Sequence, residues 1–139
     1  MTSLIVRKRL PAAPERIFEA WTRPEQIRRW FSPGKGVECC GAEVDLRVGG
    51  RWRIDNRFPD GSVVTIAGEF ESIEPPHRLV YTWRIGPATV SERVTVRFEP
   101  RPDGTEVVVV HEGLTDPKSS ERHEQGWVSC MSGLGAFLQ

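Results

Sequence analysis

Two hydrophobic rhythms divide this chain. From Val44 to His111 apolar residues recur at every second position, whereas after Glu121 they recur at intervals of three and four. The first rhythm predicts strands that bury one face, and the second predicts an α-helix. Successive runs are Val44/Leu46/Val48, Trp52/Ile54, Ile66/Phe70, Leu79/Tyr81/Trp83, Val94/Val96/Phe98 and Val107/Val109/His111. Turn-forming residues separate them at Gly49-Gly50, Pro59-Asp60-Gly61, Pro75-Pro76, Gly86-Pro87 and Pro102-Asp103-Gly104. Connections this short favour an antiparallel meander over parallel crossovers. Polar alternates such as Arg51, Arg53, Glu69, Glu71, Arg93 and Arg97 mark a solvated outer face.

Ahead of the meander, Leu4 to Leu10 reads as a strand that stops at Pro11. Pro14 then suits the first turn of a short helix with Ile17, Phe18 and Trp21 on one face. A second short helix follows Pro24 and carries Ile27, Trp30 and Phe31, and Ser32 to Gly36 forms a loop. The closing helix, placed at Glu121 to Gln139, has two inner stripes. Trp127, Met131, Leu134 and Leu138 are bulky; Gly126, Ser129, Cys130 and Gly133 are small. Glycine inside a helix costs roughly 1 kcal/mol relative to alanine, so its repetition needs a reason. Either another backbone comes close there, or the small side chains border a space. On sequence both readings stand.

An antiparallel sheet with one apolar face must be covered, and the final helix is the element long enough to do it. The fold class expected is therefore α+β, one domain over residues 1–139. Nineteen basic and nineteen acidic residues give a formal net charge of zero, which argues against a nucleic-acid binder. No apolar run approaches the ~18 residues of a membrane span, and the first residues lack the order of a signal peptide. Three cysteines, two of them adjacent, make no disulfide framework. These features predict a cytoplasmic protein without membrane insertion.

Catalytic signatures are sparse. His123-Glu124-Gln125-Gly126-Trp127 starts like a zinc-protease helix, but Trp127 stands where the second histidine is required. His77, His111 and His123 fall on a turn, a strand and a helix, so no metal and no other cofactor is expected. What remains is aromatic and inward. Trp30, Trp52, Trp83 and Trp127 all lie on interior faces, and a buried indole N–H needs a partner. His111 continues the inward face of Val107 and Val109; it is either a satisfied core histidine or a group that orients a ligand.

The segment Pro14-Glu15-Arg16-Ile17-Phe18-Glu19-Ala20-Trp21-Thr22-Arg23-Pro24-Glu25 resembles the first-helix motif of the SRPBCC (START-like, Bet v-like) superfamily. Asp45 to Trp52, Ile73 to Trp83, Val94 to Phe98, Thr105 to His111 and His123 to Trp127 extend the likeness along the chain. The branch it is most similar to is the one named after the activator of heat-shock-protein-90 ATPase. The resemblance implies a helix-grip fold, a curved antiparallel sheet wrapped around a long C-terminal helix with a cavity between them.

The function expected is binding of a small apolar or aromatic ligand, with Trp30, Trp52, Phe70, Trp83, His111, Trp127, Cys130 and Met131 as the lining and His123 as a further polar contact. No catalytic set is assigned, so the sequence leans away from an enzyme and leaves catalysis open. A cyclase, dehydratase or hydrolase using the same cavity is the alternative, with His111 as its acid or base. A chaperone-associated interaction module is the third reading. The pattern is compatible with a homodimer.

Overall fold

Every pair of neighbouring strands in the sheet is antiparallel, as the short connections and period-two pattern predict. The computed structural model describes residues 2–88 and 90–139. The elements are β1 (Thr2–Leu10), α1 (Pro14–Thr22), α2 (Pro24–Trp30), β2 (Glu38–Val44), β3 (Arg51–Arg57), β4 (Val63–Glu74), β5 (Arg78–Ile85), β6 (Glu92–Arg101), β7 (Gly104–Leu114) and α3 (Pro117–Phe137). The strand order is β1-β7-β6-β5-β4-β3-β2, a meander from β2 to β7 with β1 returning beside β7. This is the α+β helix-grip arrangement that the resemblance implied, built here on seven strands.

The sheet bends where its ladder is disturbed. β4 carries a bulge between Phe70 and Ser72, and β2 carries one between Cys39 and Gly41. At Gly68 a Cβ would collide with the Thr82 carbonyl, so only glycine lets β4 and β5 approach there. The Trp52 indole covers that position from the inner side. Helices fill the concavity. α2 packs against β2, and α3 against β1 and α2. One continuous core results, in which Val94, Val96, Phe98, Val107 and Val109 of the sheet meet Ile17, Trp30, Met131 and Leu134 of the helices.

Two boundaries differ from the sequence reading. The strand after the short helices is Glu38–Val44, not a run through Val48. Leu46 and Val48 lie beyond the strand, 43% and 65% exposed, because backbone bonds from Arg47 to the Asp45 carbonyl and from Gly50 to the Arg47 carbonyl fold the chain away from the ladder. The last helix begins at Pro117, one turn before Glu121. Asp116 caps it, its carboxylate accepting from the Ser119 N–H at 2.8 Å, and proline at the first helical position loses no bond there. No described helix is long and apolar enough to cross a membrane.

Candidate functional site

The small stripe on α3 serves two purposes. A Cβ on Gly133 would run into the Trp30 carbonyl oxygen, so this glycine lets α3 lie directly on α2. Gly133 is therefore not a cavity border. Gly126, about two turns earlier, meets only Pro33 at ordinary contact distance, and it does line a cleft.

That cleft holds about 490 Å³ and lies between the first half of α3, the segment after α2 and the ends of β3, β4 and β5. Phe31, Phe58, Ile66, Trp83, Ile85 and Trp127 make it apolar; Asn56, Ser119, Arg122 and His123 give it polar points. A second, inner chamber behind it is nearly filled. It holds about 30 Å³, room for one water. Phe31 and Trp83 belong to the walls of both.

The residues expected to line one cavity are thus divided. Trp30, Trp52 and Phe70 surround the inner chamber, Trp83 faces both spaces, and Trp127 and Cys130 line the outer cleft together with His123. Met131 lines neither and is core. Burial pushes the Cys130 thiol far above its ordinary value, so it remains a neutral thiol.

His111 is fully enclosed, and both ring nitrogens are engaged. The Trp127 indole donates to Nδ1 at 3.0 Å, and Nε2 lies 2.6 Å from Glu92 Oε1. An indole N–H can only donate, so Nδ1 is the acceptor and Nε2 carries the proton. Burial, with His123 adding to it, pushes the imidazole down to about 3, which keeps it neutral. His111 positions Trp127 and Glu92 instead of reaching into the cleft.

Glu92 was absent from the sequence reading, yet its signal was there. It stands two residues before Val94 and so shares the inward parity of Val94, Val96 and Phe98. Asn56 extends the Trp52/Ile54 face in the same way and is 3% exposed. His123 completes the group: its Nδ1 donates to the Ser119 carbonyl at 2.7 Å, and its Nε2 lies 3.6 Å from Glu92 Oε1.

Glu92, His111 and His123 bring their ligand atoms within 4.8 Å of one another, so two of the three histidines converge despite lying on different elements. The donor set nevertheless suits a metal poorly. Ligation through His111 Nε2 would require the proton to sit on Nδ1, where it would oppose the Trp127 N–H. Exhaustive chelation is expected to leave the thermal midpoint unchanged; a drop that added zinc reverses would contradict this tautomer argument.

Four buried polar atoms lack a protein partner among the described residues: Trp52 Nε1, Trp83 Nε1, Asn56 Oδ1 and His123 Nε2. The last three belong to residues of the outer cleft wall. Trp83 is also the aromatic hub, with ring centroids 5.4 Å from Trp127, 5.2 Å from His111 and 5.7 Å from Trp52.

The family described as activator of Hsp90 ATPase homolog 1-like protein matches residues 11–139. The chain belongs to this family. Its fold is shared closely by the crystal structure of a protein from Chromobacterium violaceum, at 28% identity and a TM-score of 0.88, covering 96% of this chain and 94% of that one. An AHSA1 protein from Silicibacter pomeroyi is 25% identical with a TM-score of 0.84, covering 99% and 97%. The solution structure of an AHSA1-like protein from Aeromonas hydrophila, 24% identical with a TM-score of 0.84 and coverage of 99% and 92%, supports the fold alone. No curated protein matches the chain.

Proposed function

We infer that this AHSA1-family chain binds a small, planar, apolar or aromatic compound in the outer cleft, with the polar end of the ligand against Trp83 and Asn56. The observation that carries this is the pairing of an apolar wall with unmatched polar atoms. An unpaired buried donor or acceptor costs about 1–3 kcal/mol, and two such groups, Trp83 Nε1 and Asn56 Oδ1, belong to residues of one cleft wall, which supports a partner supplied from outside the chain. Proteins of this superfamily commonly bind hydrophobic ligands, which supports the same reading. A ligand that accepts from the Trp83 N–H and donates to the Asn56 carbonyl oxygen, such as a phenol or a hydroxyketone, matches the two points.

Because Trp83 and Trp127 line the cleft, occupancy should shift or quench tryptophan emission saturably, with micromolar affinity of about −8 kcal/mol. Trp83→Phe removes the N–H together with the smaller ring, so it should weaken hydroxylated ligands by ~0.5–1.5 kcal/mol more than their apolar parents. A broad set of aromatic and lipid-like compounds giving no saturable change would overturn the assignment.

A further inference from the structure

The contact between Glu92 and His123 is one proton short. The Ser119 carbonyl can only accept, so His123 Nδ1 holds the ring proton of the neutral imidazole, and Nε2 turns a lone pair toward Glu92 Oε1 at 3.6 Å. His111 supplies no proton to that gap, since its Nε2–H already points at the same oxygen from the other side. Two electron-rich atoms therefore face each other in an enclosed position. A single proton on either one replaces that repulsion with a hydrogen bond or an ion pair. Without it, a carboxylate charge is left in a half-buried site beside an apolar cleft.

Among the described residues, no other charged group on the packed elements supplies the missing proton. β5 places Trp83 opposite Glu92, and β7 brings Gly113 alongside. Glu112 of β7 is exposed and pairs in register with Arg93, whose guanidinium bonds Glu71. Lys118, Arg122 and Glu124 flank His123 on α3 and are exposed to water.

The position of this pair gives it leverage. His123 lies midway along the part of α3 that forms one wall of the cleft, and Glu92 begins the strand opposite. We propose that Glu92 and His123 form a one-proton binding site that latches the first half of α3 to the sheet and thereby ties closure of the cleft to pH. The consequence for ligands rests on the binding reading above; the latch itself does not. Burial raises the Glu92 carboxyl above its ordinary value, while His123 acts in the opposite sense, which agrees with a retained proton. For a group raised on folding, the stabilisation is complete below the unfolded value and is lost as pH rises through the folded one.

Glu92→Gln tests the idea directly. The glutamine amide neither carries a charge nor titrates, so it removes the proton-dependent step at this position while keeping the size of the side chain. Melting of wild type and Glu92→Gln from about pH 5 to about pH 9 should show the wild-type midpoint falling progressively below that of the variant as pH rises. Affinity for the neutral fluorophore N-phenyl-1-naphthylamine should change severalfold over the same interval in wild type and stay flat in the variant. His123→Gln, which can donate to Glu92 at every pH, should be flat as well and serves if Glu92→Gln does not fold. Parallel melting curves for wild type and variant would overturn the latch. Loss of probe binding at every pH, with diverging melting curves, would uphold the latch and overturn the ligand assignment instead.

Discussion

Gly133→Leu should destabilise the protein by about 3 kcal/mol, at the upper end of what core overpacking costs. The reason is the kind of neighbour it meets. A side chain that collides with a flexible methyl can push it aside, but here the obstacle is the Trp30 carbonyl oxygen, fixed at the end of α2. Trp30 is itself held, its indole donating to the Ala20 carbonyl at 2.9 Å. Even Gly133→Ala should lose stability, although alanine is the better helix former by roughly 1 kcal/mol. Denaturant melts decide the matter. A loss below ~1 kcal/mol for the leucine variant would mean that α2 and α3 separate easily and that space is present where close packing is described.

Acid should weaken the fold through His111. Its folded value is about 3 against an ordinary 6.5, so between those limits the unfolded chain binds a proton that the folded chain does not. Stability is therefore complete above the ordinary value and declines as pH falls, by roughly 3–5 kcal/mol across the whole interval. Glu92 has the opposite sign, since its raised carboxyl gains a proton on the folded side first. The two oppose each other until pH reaches the ordinary carboxylate value of 4.5; below it the His111 loss is no longer offset, the hydrogen-bonded carboxylates of Asp55, Glu71 and Glu74, held below their ordinary values, add to it, and the loss should steepen. His111→Gln can still accept from Trp127 and donate to Glu92 without ionising, so its stability should fall less in acid. Equal acid sensitivity in the two proteins would assign the loss to other groups.

The strands that carry the core were legible because their inward residues are large and regularly spaced. Trp52/Ile54, Leu79/Tyr81/Trp83 and Val107/Val109/His111 are all buried as the alternation requires. β2 was not, since Glu38-Cys39-Cys40-Gly41-Ala42-Glu43-Val44 has few bulky residues and a bulge that breaks its period. Leu46 and Val48 offered a cleaner pattern next to it and were misleading for that reason. The site divides similarly. Aromatic walls could be read from periodicity, and Glu92 could have been found by extending the β6 parity backward by one step. The division between the inner chamber and the outer cleft could not, because it depends on how far Phe31 and Trp83 reach across the interior. Whether Gly126 and Gly133 share one purpose likewise depends on which backbone lies opposite each.

The indole cluster around Trp83 has an optical consequence. Trp83 and Trp127 are 5.4 Å apart with ring planes inclined at 45°, and Trp52 and Trp83 are 5.7 Å apart at 49°. Strong transition dipoles held this close and skewed mix their excited states, giving paired circular-dichroism bands of opposite sign in the far ultraviolet. Those bands overlap the peptide region, so helix and strand contents read from the spectrum of this protein will be distorted. The same skew makes the spectrum a gauge of the angle between β5 and α3, sensitive to a turn of a few degrees that absorbance alone would miss.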